Sequence, residues 1–166
     1  MEQEYICKIA SPEEMNRKWD YEIRIHPGEQ NWVVWKGEAM ESARAGRSVP
    51  YYGLLDGTVI CEATACMDPD FIRAGAVAAE GRAVELCAFR TVREYRGKGY
   101  FSKLMEFMLA DLKKKGFSEA VVGVEPDETL NKDMYHHWGF TEPVGSGTET
   151  YPDGTVIQVE FYGKKL

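Results

Sequence analysis

The spacing of apolar and polar residues changes several times along the chain, and each change predicts a new element. A short strand runs from Tyr5 to Ile9. Ser11-Pro12-Glu13-Glu14 then sets an N-cap serine, a proline at the first helical position and early acids in a row, which satisfies the free N–H groups of a helix start and complements its dipole. Trp32, Trp35, Met40 and the alanines Ala39, Ala43 and Ala45 predict a second helix, ending at Gly46. From Val49 to Ala65 the pattern is that of strands: Tyr51 to Leu55 and Thr58 to Thr64 flank Asp56-Gly57, a pair suited to a hairpin turn that needs positive φ.

Residues 67–81 carry Pro69, Gly75 and Gly81 with little periodicity and read as an insertion or loop. Val84 to Val92 is an apolar strand. Beyond Gly99, the positions Tyr100, Phe101, Leu104, Met105, Met108 and Leu112 have the rhythm of an amphipathic helix, which closes with Lys113-Lys114-Lys115 and Gly116. The lysines oppose the dipole at that end. Ala120 to Val124 reads as a short buried strand, Thr129 to Trp138 as a short helix ending at Gly139, and Glu149 to Phe161 as a hairpin around Pro152-Asp153-Gly154. The order is β, α, α, β, β, β, α, β, α, β, β. One strand-helix-strand unit within hairpin-joined strands implies an α/β (α+β) fold whose sheet is mixed and mostly antiparallel, with one right-handed crossover.

At 166 residues and 44% hydrophobic, the chain suits one domain over 1–166. The acidic opening Met1-Glu2-Gln3-Glu4-Tyr5 lacks the basic-then-apolar pattern of a signal peptide, and no apolar run is long enough to span a bilayer, so we expect a soluble, cytoplasmic protein with no membrane partner. Lys plus Arg is 20 against 27 Asp plus Glu, a net charge of −7, which argues against nucleic acid. Cys7, Cys61, Cys66 and Cys87 lack metal-like spacing and read as reduced residues, three of them in apolar runs.

The segment from Phe89 to Leu104 carries the chemistry. A strand end passes through Arg96-Gly97-Lys98-Gly99 into a helix start, so unpaired N–H groups and the positive dipole end converge where an anion can sit. Gly97 and Gly99 let a phosphate approach the backbone, and Arg96 and Lys98 add charge. Spacing excludes a P-loop, which needs four residues between its glycines and a Ser or Thr after the lysine. The dinucleotide fingerprint fits in part, with Glu119 about twenty residues on, but Ser102 replaces its third glycine and the repeated βαβ units are missing.

This segment resembles the pyrophosphate-binding motif of the GNAT acyltransferase superfamily, Arg/Gln-x-x-Gly-x-Gly/Ala, with Arg96, Gly97 and Gly99 in place and Glu94 at the position that prefers Gln or Arg. A second match follows in family order: Met134-Tyr135-His136-His137-Trp138-Gly139-Phe140 is similar to the Leu-Tyr-x-x-x-Gly-Phe that ends the family's last helix. The resemblance is strong from Val84 to Phe140. It implies a central sheet of six to seven strands, about four helices and acetyl-CoA as co-substrate, with no metal. It further implies that Cys87 to Thr91 splays from its neighbour and frees backbone groups for the pantetheine and acetyl carbonyl, Phe89 and Thr91 being the candidates. The stretch Glu94, Tyr95, Arg96, Gly97, Lys98, Gly99, Tyr100, Phe101 and Ser102 would wrap the pyrophosphate. The family's usual Asn falls at Glu128, so Asn131, on the same helical face, is the candidate for the pantetheine amide. Tyr135 matches the tyrosine that protonates the leaving thiolate.

An amine must lose a proton before it attacks a thioester. Glu85 shares a strand face with Cys87 and Phe89 by two-residue alternation and is the candidate base, through water; Glu125 and a water chain alone are rivals. His136 and His137 are adjacent, point about 100° apart on a helix and cannot jointly hold a metal. Trp32, Trp35, Tyr51 and Tyr52 fall where the superfamily builds its acceptor pocket, and read mainly as core, although their faces can hold a cation. The expected activity is acetyl transfer to a primary amine of a small molecule in a ternary complex. A non-catalytic acyl-CoA sensor and a protein or peptide amine acetyltransferase are the alternatives. The C-terminal hairpin offers edge strands for a homodimer.

Overall fold

A computed structural model describes residues 2–68 and 82–166. The expected loop at 67–81 lies almost wholly outside the described residues. The elements are β1 (Tyr5–Ile9), α1 (Pro12–Ile25), α2 (Gln30–Arg44), β2 (Ser48–Leu55), β3 (Thr58–Cys66), β4 (Ala83–Thr91), a single 3₁₀ turn (Arg93–Tyr95), α3 (Tyr100–Lys114), β5 (Glu119–Val124), α4 (Thr129–His137), β6 (Glu142–Thr150) and β7 (Val156–Lys165). The seven strands form one sheet in the order β1-β2-β3-β4-β5-β7-β6. The β4–β5 pair is parallel, while β1–β2, β5–β7 and β6–β7 are antiparallel. The mixed α/β architecture expected from the residue pattern is therefore the observed one. No helix is long and apolar enough to cross a membrane among the described residues.

The chain divides into two compact units, Met1–Ala65 with Ala88–Asp111, and Cys66–Cys87 with Leu112–Leu166. In the first, Ser11 accepts the Glu14 N–H at 3.2 Å while the Glu14 carboxylate accepts the Ser11 N–H at 2.8 Å, a reciprocal cap that starts α1. Asp56 (φ 48°) and Gly57 (φ 81°) make the hairpin turn with both central residues left-handed. The α1–α2 core gathers Met15, Trp19, Trp32, Tyr52 and Leu54.

Into this apolar layer the chain introduces charge. Lys18 Nζ lies 2.5 Å from Glu62 Oε1 and 3.7 Å above the Trp19 ring, with Lys18 7% and Glu62 3% exposed. Burial pushes the Glu62 carboxyl above its ordinary pKa, and the Lys18 ammonium opposes that shift. Removing one member strands the other in a dry site. Lys18→Met is expected to cost about 3–5 kcal/mol in urea unfolding, and less at pH 5 than at pH 8, since protonating Glu62 relieves the stranded charge. Equal losses at both pH values, or none, would contradict this account.

In the second unit, β6 begins seven residues before the expected hairpin strand. Pro143, Gly145 and Gly147 read as breakers, yet Pro is tolerated on an edge strand and Gly145 (φ 146°) sits at the register shift between Pro143 and Gly145. Only β6 of this hairpin is an edge; β7 pairs with β5 and β6. Helices α2, α3 and α4 end alike, with Gly46, Gly116 and Gly139 left-handed and the next residue's N–H returning to a carbonyl five back: Arg47 to Ser42, Phe117 to Leu112, Phe140 to Tyr135. These are Schellman closures.

Candidate active site

Strand β4 sets the stage. Its parallel ladder with β5 runs from Ala83↔Glu119 to Leu86↔Val122, although β4 goes on to Thr91 and β5 to Val124. Two residues past the last pair, Ala88 takes φ 56°, a conformation that costs a non-glycine residue about 1–2 kcal/mol and that no residue signal announces. Strain of this kind persists only where surroundings enforce it. The surroundings are visible: the Val92 N–H donates to Ile60 O at 2.8 Å, and the Arg90 guanidinium is held by both Glu22 carboxylate oxygens at 3.0 Å while lying 4.6 Å from the Trp32 ring centroid. An aromatic face here does hold a cation, the protein's own.

The left-handed Ala88 also interrupts two-residue alternation, so the shared face extends from Glu85 to Cys87 and the period no longer carries it to Phe89. The Phe89 ring packs on Phe101 of α3 at 5.2 Å instead. Glu85 is 3% exposed and lies opposite Val121 in the ladder, on the face that Val121 shares with Val159 and Phe161. Thr91 differs from its candidate role in one respect: its carbonyl accepts from Arg96 Nε at 2.9 Å.

The bend after β4 has its amides open. Tyr95 N–H and Arg96 N–H close the 3₁₀ turn on Val92 and Arg93 carbonyls, and the next amide with a backbone acceptor outside the regular helix ladder is Lys103, bonded to Gly99 O at 3.3 Å. Between them, the N–H groups of Gly97, Lys98, Gly99, Tyr100 and Ser102 meet no protein acceptor among the described residues. Gly97 (φ 74°) and Gly99 (φ 85°) are left-handed, and a Cβ built on either would find nothing within 4 Å. The open space and the free donors coincide, at the positive end of a 15-residue helix. Arg93, Glu94, Arg96 and Lys98 are exposed around the bend, and the Lys98 ammonium stands 5.8 Å from the Tyr95 ring centroid. Arg96 thus braces the loop through Thr91, while Glu94 points its charge to solvent from mid-turn.

On α4, Tyr135 is half-buried and packs 6.2 Å from the Trp138 ring. Burial first, and then the Glu128 carboxylate, push its phenol up to about 12. Asn131 donates to Glu128 Oε2 at 3.2 Å, so the family-like amide and the acid that displaced it form one pair. Glu125 is pushed above the ordinary carboxyl value by partial burial first and then by Glu128, Asp127 and Glu149. The helix end is fixed by Phe140, fully buried, and by Lys164 Nζ, which donates to Trp138 O at 2.7 Å.

The residue pattern gives no signal for three contributors. Arg90 and Glu22 had no local signal, being 68 positions apart. Tyr5 looked like an ordinary strand residue, yet its hydroxyl donates to Tyr100 O at 2.8 Å.

Comparison with known proteins agrees with this geometry. Several solved structures share the fold: an N-acetyltransferase from Staphylococcus aureus (16% identity, covering 98% of each chain, TM-score 0.68), the putative acetyltransferase yncA from Salmonella typhimurium with acetyl-CoA (15%, 98% of this chain and 94% of that one, 0.66), and the ribosomal-protein-S18-alanine N-acetyltransferase from Escherichia coli (13%, 98% and 94%, 0.69). No curated protein matches the sequence. The model of the acetyltransferase (GNAT) family matches residues 8–140, which takes in the open bend, the interrupted strand and the closure at Phe140, and the chain belongs to that family.

Proposed function

We propose that the protein transfers an acetyl group from acetyl-CoA to a primary amine of a small molecule, as one catalytic domain over 1–166. The observation that carries this reading is the set of amides at Gly97, Lys98, Gly99, Tyr100 and Ser102 that meet no acceptor among the described residues, with Gly97 and Gly99 in a conformation only glycine adopts freely and space in front of them. A diphosphate suits those donors, and Arg96, Lys98 and the α3 dipole complement its charge. Phe89, Thr91, Tyr95 and Phe101 flank the bend and strand end, and Asn131 would meet the pantetheine arm. Acetyl-CoA supplies an acetyl thioester, whose carbonyl is open to attack by a neutral amine.

In this reading Glu85 accepts the amine proton through water, and Tyr135 donates a hydrogen bond where the thiolate charge develops. A phenol near 12 is a weaker acid than a thiol, whose ordinary value is about 8.5, so Tyr135 works by hydrogen bonding during the step, and solvent completes the protonation.

The test has two stages. CoA and acetyl-CoA should raise the melting temperature by mass action, and an amine panel should then release free thiol from acetyl-CoA. Binding with no release from any amine would favour the acyl-CoA sensor, for which Glu94 and Glu128 are the motivating departures. Release with peptide amines in preference to small ones would favour a protein acetyltransferase, the activity named for the Escherichia coli structure. No melting shift at all would end the acetyl-CoA reading.

A further inference from the structure

We propose that Tyr5 is a positioning residue for the diphosphate loop: from the first strand, it locks the start of α3 so that the amides of Gly97 to Tyr100 keep the geometry an anion needs. This rests on the acetyl-CoA reading and adds a part that the residue pattern left unassigned. A loop with two left-handed glycines has little side-chain packing of its own, and the first turn of a helix lacks intrahelical bonds on its N–H groups. Something outside must hold it.

The structure supplies a brace at both ends of the loop. The Tyr5 ring packs on the Tyr100 ring at 4.7 Å, and Tyr100 meets Tyr95 edge-on at 6.1 Å. Tyr95 ends the 3₁₀ turn and Tyr100 begins α3, so the two rings close the base of the bend that contains Arg96, Gly97, Lys98 and Gly99. Lys98 and Lys103 stand 5.8 Å and 6.0 Å from the Tyr95 and Tyr5 ring centroids, which keeps two cations beside the loop.

The Tyr5 hydroxyl fixes the register. Its single hydrogen goes to Tyr100 O at 2.8 Å, so at the 3.0 Å contact with Cys61 Sγ the thiol is the donor. A relay from β3 through β1 to the helix start results. Gly53 on β2, paired with Cys7, makes the slot: a Cβ there would stand 2.6 Å from Cys61 Sγ and closer still to the Tyr5 hydroxyl. The glycine's φ is ordinary, so the requirement is for space alone. Burial holds the phenol far above its usual pKa, which keeps it a donor across the working pH range.

Tyr5→Phe keeps the ring stack and removes the O–H donor. KM for acetyl-CoA, and Kd for CoA, are expected to rise about tenfold with kcat unchanged, the scale of one lost hydrogen bond. Acetyl-pantetheine, a donor without the diphosphate, should be used as well as by the unsubstituted protein. Gly53→Ala, which expels the hydroxyl from its slot, should reproduce this split if Tyr5→Phe folds poorly. Unchanged CoA affinity in the variants would overturn the proposal, and so would an equal loss with both donors, the mark of a general packing role. If the unsubstituted protein shows no CoA affinity, the acetyl-CoA reading fails and this proposal falls with it; affinity in the parent with none of the split in the variants sinks the role of Tyr5 alone.

Discussion

Gly99→Val is expected to abolish the melting shift produced by CoA while leaving the protein folded. A β-branched residue at φ 85° is strained by about 1–2 kcal/mol, close to a tenfold effect by itself. Among the described residues, and apart from its chain neighbours, nothing lies within 4 Å of the added Cβ, so the unliganded fold should accommodate the isopropyl group, and the melting temperature should fall by only about 3–8 °C. The same group stands where an anion approaches the amides. Losing two charge-assisted hydrogen bonds should raise Kd for CoA by at least about a hundredfold, measured by calorimetry. A variant that still binds CoA with the parent's affinity would show that the diphosphate sits elsewhere.

Tyr135→Phe should have the opposite profile. The CoA contacts do not involve the phenol, so Kd for CoA should stay within about twofold, while kcat falls by about a hundredfold or more, the usual range for losing one hydrogen-bond donor aimed at a developing negative charge. The pH dependence carries a sign that can be checked. The donor form is the protonated phenol, and its value is pushed up to about 12 by burial and by Glu128. Activity lost by deprotonating Tyr135 is therefore lost only as pH rises toward that value, and kcat in the parent should show no falling limb from this group below about pH 11. A parent profile that falls near pH 9, with the fall absent from the phenylalanine variant, would mean that Tyr135 titrates in a wetter setting. Unchanged kcat would reduce it to packing against Trp138.

Much of the architecture was legible because its signals are local. Ser11-Pro12-Glu13-Glu14 announces α1 through groups within one helical turn, and Asp56-Gly57 announces the β2–β3 hairpin because few other pairs adopt two left-handed conformations in succession. The bend with its two left-handed glycines was legible for the same reason: glycine spacing beside a helix start is a statement about four neighbouring residues. What escaped is non-local. The clamp of Arg90 by Glu22 joins distant segments, and Ala88 bends its strand with a residue type that gives no warning. The Asn131 amide donates to Glu128, three residues before it, a pairing that residue type alone does not announce. Strand β6 starts earlier than its residues predict because Pro143 and the glycines weaken any strand signal, and the pairing with β7 shows that an edge position tolerates them.

The closure of α4 carries a design consequence. Its turn returns the Phe140 amide to the carbonyl of Tyr135 itself, with Gly139 left-handed between them and Phe140 sealed in the interior. The count from Tyr135 to Phe140 is thereby fixed by geometry, like the teeth of a ratchet, and lengthening or shortening it by one would turn the phenol away from its heading. The tip at residues 151–155 between the last two strands is closed by bonds of its own, the Tyr151 N–H donating to Thr155 O at 2.7 Å and the Gly154 N–H to Tyr151 O at 2.9 Å. Re-engineering of this scaffold therefore has no room for an insertion or deletion in the three residues that separate Tyr135 from Gly139.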